Sequence, residues 1–454
     1  MFKRILIANR GEIALRIIRC CREMGIETVL VYSTADEQSL PVMLATHRVC
    51  IGPEKAADSY LNQEVILETA RKTDCDAIHP GYGFLSENAD FARACEESGI
   101  TFIGPSARVI QNMGDKQTAR TLMRKNRIPV VPGSAGILAT FEEARKEAGR
   151  IGYPVLIKAT AGGGGKGMRK VFQEEELEKA FHTARAEAEA AFGNKEVYLE
   201  KLILNPHHIE FQILADQHGN IIHLGERDCS IQKNNQKLLE ESPSWVLNDT
   251  LRKKMGEEAV RAAQAAGYTN AGTVEFVLDD EGNFYFIEMN TRIQVEHPVT
   301  EQLTGVDLVK EQIRIAAGRK LELTQEEVQL KGHAIECRIN ALRPGQISFL
   351  HFPAGPGVRV DSHLYNGCEV SPHYDSMVAK IIVTGKTRLE TIRRLRRALE
   401  ELMIEGVETN TEFMHLVAYH PDFIRGRYDT SFWEKNSETI FRWNEEGKTS
   451  DDDT

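Results

Sequence analysis

Long hydrophobic runs are missing from this 454-residue chain: none approaches the roughly 20 residues that cross a bilayer, and MFKRILIANR opens as a strand rather than a signal peptide. No membrane partner is expected, and the predicted address is cytoplasmic. Basic charge is also scarce, with 56 Lys and Arg against 67 Asp and Glu and a formal net charge of -11. That balance argues against non-specific binding of nucleic acid or anionic membranes, so any bound anion must meet a local, organised site. The eight cysteines form no CxxC pair and no closely spaced framework, as expected of reduced structural thiols. Two nucleotide signatures are absent as well. No GxGxxG accompanies Gly11 after the first apolar strand, and in KATAGGGGKGM a threonine, Thr160, takes the place of the first Walker A glycine while Gly167 follows Lys166.

What is present organises into several units, since this length accommodates two to four domains with their own cores. Over the first 110 residues, apolar strands at 4–8, 27–32, 77–78 and 101–103 alternate with helical patterns at 11–24, 65–72 and 89–98, which predicts a parallel α/β layer. The loop HPGYGFLSEN, 79–88, reads equally as a substrate edge or a structural turn. A Pro/Gly stretch at 128–133 marks a boundary. Beyond it come a helix at 141–150, a strand at 155–157, an Ala/Glu-rich helix at 174–191 and a strand at 197–200. From about 203 onward strand-like runs separated by the turns at 216–219 and 279–282 predict an antiparallel sheet with helices. An amphipathic helix at 387–406 carries Ile392, Leu395, Leu399 and Leu402 on one stripe, and its arginines 393, 394, 396 and 397 read as a solvated face. The fold class is thus α/β and α+β, multidomain. Its expected segments are 1–114, a linker with a helix at 115–130, then 131–202, 203–330 and 331–446, with a disordered acidic tail at 447–454.

Chemistry concentrates in the hairpin TVEFVLDDEGNFYFIEMN, 273–290. A turn centred on Glu281-Gly282 sets Glu275 opposite Glu288, where Cβ atoms lie about 4.5–5.5 Å apart and like charges repel. Either the two glutamates splay into solvent, or a cation joins them; oxygen-only ligands suit Mg²⁺ or Mn²⁺. If the chain stays extended beyond the hairpin, Glu288, Asn290, Arg292, Gln294 and Glu296 share one face. Arg292 could then grip a planar oxyanion and Glu296 act as a base. The glycine run follows a buried strand ending in Lys158, which suits a hinged cover over phosphates better than a linker, with a structural hairpin as the alternative. Glu200 is either an adenine-edge hinge or a strand connector, and Lys233 and Lys237 either phosphate or carbonate contacts or a solvated loop. His208-Ile209-Glu210 lacks the PCxxC that a zinc deaminase requires.

The strings YPVLIKATAGGGGKGM and FIEMNTRIQVEHPVTE resemble the ATP-grasp fold. With IANRGEIALRI, HPGYGFLSEN, GERDCSIQ, NQKLLEE, AGTVEF and ECRIN in order, the chain resembles the biotin carboxylase family from residue 1 to about 430. The resemblance implies a pre-ATP-grasp N-terminal domain, an ATP-grasp lid over 131–202, its core over 203–330 and a C-terminal biotin carboxylase domain. It implies that Lys116 and Lys158 contact ATP phosphates beneath a lid containing Gly163, Gly164, Gly165 and Met168. Glu200, Lys201 and Ile203 would frame adenine, with His208 and Gln232 on the ribose side. Glu275, Glu288 and Asn290 would hold two divalent ions. Lys237, Arg292, Gln294 and Val295 would bind bicarbonate, Glu296 deprotonate it and Arg338 stabilise the biotin enolate.

The reaction so implied is ATP-dependent formation of carboxyphosphate, then carboxylation of biotin at its ureido N1. Two departures stand out: Asn235 occupies a position where many members have His, and the segment after Asn340, ALRPGQI, is short. An AMKM-like biotinylation site is not found, so biotin is expected on a separate carrier protein, alongside carboxyltransferase subunits and a homodimeric partner. The expected pathway position is the first half-reaction of acetyl-CoA carboxylase in fatty acid synthesis. The alternatives are a component of another acyl-CoA or pyruvate carboxylase, a different ATP-grasp ligase joining a carboxylate to an amine, and a regulatory ATP-binding protein without turnover.

Overall fold

A computed structural model describes residues 1–160, 167–234 and 236–451. Strands Arg4–Ile7, Glu27–Ser33, His47–Gly52, Ala77–His79 and Thr101–Phe102 form a parallel sheet, in spatial order third, second, first, fourth, fifth. Its central residues Ile5, Leu6 and Ile7 have no exposed surface, as expected where helices cover both faces of a parallel sheet. Helix Gly11–Glu23 buries Ile13, Leu15, Ile17 and Ile18, and the helices Gln63–Lys72 and Ala89–Glu97 start at Asn62 and Asn88, whose side chains accept from Val65 and Phe91 N–H groups. The edge strand His47–Gly52 and the short helix Leu40–Leu44 carry no clear periodicity and escaped the sequence reading.

A small second unit pairs strand Val155–Ala159 with Met168–Val171 on one side and Val197–Lys201 on the other, all antiparallel. Helices Phe141–Ile151 and Glu174–Phe192 pack on it, the first opened by a capping box between Thr140 and Glu143.

The remaining large sheet has eight antiparallel strands: Phe284–Asn290, Asn270–Leu278, His207–Ala215, Ile221–Lys233, Gln236–Ser242, His333–Asn340, Met377–Gly385 and Val358–Ser362. The segments 203–330 and 331–446 therefore share one sheet, joined where Leu239 pairs with Cys337 and Glu241 with Ile335. Sequence patterning could not reveal this, because strand order is set by long-range pairing. The amphipathic helix spans Arg388–Glu401, shorter than expected, and gives way to strand Met403–Glu405. Of its arginines, 393 and 397 are exposed as expected, Arg397 pairing with Glu401 at 2.8 Å, whereas Arg394 donates to the Thr384 carbonyl and Arg396 to the Ala418 carbonyl at 2.9 Å, both half-buried. The last helix, Phe432–Asp451, runs into the segment read as a disordered tail. No helix among the described residues is long and apolar enough to cross a membrane.

Glu241, fully buried, ties the C-terminal half together. It accepts from Arg388 at 2.7 and 2.9 Å, from His333 Nε2 at 2.5 Å and from the Tyr428 hydroxyl. Burial opposes its charge, yet His333 and Arg388 outweigh that and hold the carboxyl at about 2. Glu241→Gln leaves Arg388 buried without its counter-ion and should cost about 3–5 kcal/mol, read as a lower urea midpoint at neutral pH. Because the folded-state value is depressed, that contribution is complete above the ordinary carboxylate value and fades as pH falls toward about 2. The gap between wild type and variant should narrow accordingly in acid.

Candidate active site

The five strands from His207 to Asn290 form the floor of a cleft of about 1720 Å³, with the small three-stranded unit on one side. Glu275 and Glu288 face each other across the hairpin. The reason differs from the expected one. Near the turn Val277 pairs with Tyr285 and Phe276 with Phe286, a register that alone would oppose Glu275 to Ile287; a bulge before Glu275 absorbs one residue and restores Glu288 to the same face.

Lys237 is the centre of the site. Its ammonium lies 2.6 Å from Glu210, 3.0 Å from Glu275 and 2.7 Å from Glu296. Burial opposes this charge, but the surrounding carboxylates outweigh it and hold Lys237 well above its ordinary value. Glu210 is in turn held by the fully buried Arg227 at 2.6 Å, which also donates to Gln212 at 2.8 Å and Thr300 at 2.9 Å. Burial likewise opposes ionisation of Glu296, yet Lys237, Arg338 and Arg227 keep it well below the usual carboxylate range. Arg338 reaches Glu296 at 3.0 Å and Glu240 at 2.5 Å, while burial pushes Glu240 up to about 7 despite that arginine.

The segment following the hairpin does not stay extended, as the period-two reading required. The strand ends at Asn290, residues 291–296 bend, and helix His297–Thr304 begins. The polar side chains nevertheless converge because they share one acceptor. Asn290 Nδ2 and Gln294 Nε2 donate to Glu275 at 2.7 and 3.0 Å. Arg292 donates to Gln294 at 3.1 Å, to Asn290 at 3.2 Å and to Glu87 at 2.9 Å.

At the other end of the cleft, Lys158 lies 2.5 Å from Glu200, which also accepts from Arg120. Lys201 donates to the carbonyls of Gly152 and Tyr153 at 3.0 and 2.8 Å, and Ile203 and Met168 contribute to the wall. His208 sits between Gln232 Nε2 at 2.9 Å and Glu275 at 2.8 Å; burial works against its protonation, but Glu275 outweighs it and raises the imidazole. Lys116 approaches Glu288 at 3.8 Å. Of the expected site residues that are described, Glu296 is buried beneath this cleft and Lys233 lies outside it, exposed, with its ammonium 4.6 Å from the Trp433 ring; the others line it. Gly163, Gly164, Gly165 and Asn235 lie outside the described residues. Contributors missed by the sequence reading include Glu87, Glu210, Arg120, Arg227 and Glu240. Period-two alternation through His208, Glu210 and Gln212 held a signal for the second; only tertiary contact singles out the others.

The residues fit a divalent cation. Burial and the facing Glu275 carboxylate together raise Glu288, and its nearest cation, the exposed Lys116 at 3.8 Å, does not offset them. Oxygen donors from Glu275, Glu288 and Asn290 supply the hard ligand set.

A parallel N-terminal layer, a three-stranded cover and a carboxylate-lined antiparallel floor define an ATP-grasp enzyme. Residues 1–110 match the family described as Biotin carboxylase, N-terminal domain, 115–324 match Carbamoyl-phosphate synthase L chain, ATP binding domain, and 336–435 match Biotin carboxylase C-terminal domain. Biotin carboxylase 1 of Bacillus subtilis (strain 168) is 56% identical over 443 residues, covering 96% of this chain and 98% of that relative. A pyruvate carboxylase component of Methanothermobacter thermautotrophicus is 51% identical over 440 residues, 95% of this chain and 89% of that relative. The biotin carboxylase domain dimer of Hydrogenobacter thermophilus 2-oxoglutarate carboxylase, solved with MgADP, ADP and bicarbonate, superposes with a TM-score of 0.90 at 49% identity, covering 97% of this chain and 99% of that one. The chain belongs to the biotin carboxylase family.

Glu288→Gln removes the like-charge opposition and should raise the melting midpoint of the metal-free protein. The same change should erase the stabilisation that Mn²⁺ gives the wild type, about 2.7 kcal/mol at a hundredfold excess over Kd. Equal Mn²⁺ increments in both proteins would remove Glu288 from the cation site.

Proposed function

We propose that the chain carboxylates biotin at the expense of ATP, with bicarbonate as the carbon source, and that the residues grouped around Lys237 carry the reaction. The observation that supports this most is the meeting of Lys237, Arg292 and Arg338 beside Glu296 and next to the opposed pair Glu275 and Glu288. A small planar oxyanion in this corner meets Lys237 as a point charge and Arg292 as a fork, with Gln294 and Val295 completing the contacts.

Lys116 and Lys158 neutralise the ATP phosphates; Met168 covers them, Glu200, Lys201 and Ile203 frame the base, and His208 and Gln232 face the ribose. Glu275, Glu288 and Asn290 would hold Mg²⁺ or Mn²⁺, which supplies charge neutralisation at the transferring phosphoryl group. Glu296 takes the bicarbonate proton. Held low by its cations, it is a weak base before substrate arrives; an entering anion draws on the same cations and raises its proton affinity. A bicarbonate oxygen then attacks the γ-phosphorus and ADP leaves. Carboxyphosphate breaks down to CO₂ and phosphate, the phosphate accepts the ureido N1 proton, and that nitrogen attacks CO₂. Arg338 stabilises the enolate formed on the biotin ring.

The carboxylated biotin belongs to a separate carrier protein and passes to carboxyltransferase subunits of acetyl-CoA carboxylase, with the chain acting as a homodimer. The resemblance to the pyruvate carboxylase component favours a second reading, in which pyruvate is the final acceptor. Reconstitution with carrier and transferase, offering acetyl-CoA or pyruvate, separates the two.

Purified protein should cleave ATP on addition of bicarbonate and do so faster with free biotin; no biotin stimulation would sink the assignment. Glu296→Gln should lower biotin carboxylation by about 10²-fold or more while leaving ATP binding within a factor of a few.

A further inference from the structure

Lys380 has no exposed surface, and its environment sets it apart from the other buried cations. It lies in strand Met377–Gly385, paired with Arg338 on one side and Asp361 on the other. Arg359 already occupies both oxygens of Asp361, at 2.8 and 2.7 Å. The Lys380 ammonium instead donates to the carbonyl oxygen of Val295 at 2.8 Å and lies 3.2 Å from Glu12, which also accepts from the Tyr82 hydroxyl. The contact to a neutral carbonyl is thus the shorter of the two. A lysine kept only to balance Glu12 would not need it.

Val295 stands where backbone support is thinnest. Residues 291–296 lie between the end of strand Phe284–Asn290 and the start of helix His297–Thr304, outside any ladder. Among the described residues, the Val295 N–H donates to no protein acceptor, and its carbonyl has Lys380 as its hydrogen-bond partner. Fixing that carbonyl fixes the plane of the peptide joining Val295 to Glu296. Adjacent strands therefore hold the same corner by two handles: Arg338 takes the Glu296 side chain, and Lys380 the peptide before it.

We propose that Lys380 is a positioning residue for the oxyanion corner, orienting the Val295–Glu296 peptide so that bicarbonate and Glu296 meet in a productive geometry. This rests on the reading of residues 292–296 as the bicarbonate site. Lys380 touches no reacting atom, and its removal should therefore act on bicarbonate and spare ATP.

The test uses the full chain with Lys380→Met, and with Lys380→Met combined with Glu12→Gln, which neutralises the carboxylate that the Lys380 ammonium contacts. Bicarbonate-dependent ATP cleavage is followed while each substrate is varied. Both variants should raise KM for bicarbonate at least tenfold and leave KM for ATP within about twofold, whereas the melting midpoint should drop in the single variant and recover in the double. Recovery of the bicarbonate KM along with stability in the double variant would reduce Lys380 to a counter-ion and overturn the proposal, as would an unchanged bicarbonate KM in either variant. A wild type whose ATP cleavage ignores bicarbonate would overturn the reading of the site, and this inference with it; a responsive wild type with variants whose bicarbonate KM matches its own overturns the inference alone.

Discussion

The Lys237 ammonium, shared by Glu210, Glu275 and Glu296, is the interaction on which the site depends. Three carboxylates meet at this one ammonium in a buried corner, where each charge removed from water must find a partner of opposite sign. The pattern extends outward as an alternation: Arg227, Glu210, Lys237, Glu296, Arg338 and Glu240 follow one another with signs reversing at each step. Each inner member is fixed by two neighbours, so the cluster is rigid before substrate arrives. That is what a site for a small anion needs, since bicarbonate has too few atoms to organise loose side chains itself.

The alternation also explains why the eight-stranded sheet crosses the boundary between the central and C-terminal segments. Lys237, Glu240 and Arg338 sit on the paired strands Gln236–Ser242 and His333–Asn340, and the pairing brings Arg338 within reach of Glu296. A hinged interface between separate sheets would leave that distance variable. Continuous ladder bonds make it fixed. Glu241, facing away from the cleft, fastens the same strand pair to Arg388 and Tyr428.

Much of this was legible in the amino-acid order. Alternating β and α patterns revealed the parallel layer, and the two turn strings bounded the central strands, because local propensity and period depend on neighbours a few residues apart. The site was legible less directly. Opposition of Glu275 and Glu288 followed from an assumed turn, yet the true turn is offset by one residue and the bulge corrects it. The face expected to run from Glu288 to Glu296 assumed a continuous strand; the side chains come together instead because Asn290, Gln294 and Lys237 all donate to Glu275.

Sequence by itself determined which chemical groups are available and the local elements that carry them: the carboxylates of the hairpin, the lysine at the end of a buried strand, the glycines beside it and the arginine in ECRIN. Tertiary structure alone decided which of these groups share a corner and what charge each holds there. Glu87, Arg227 and Lys380 support Arg292, Glu210 and Val295, from 205, 17 and 85 positions away along the chain. Nothing in their neighbours marks them, since Coulombic and hydrogen-bond energies depend on distance through space and on burial, and both are fixed only when the strands are paired.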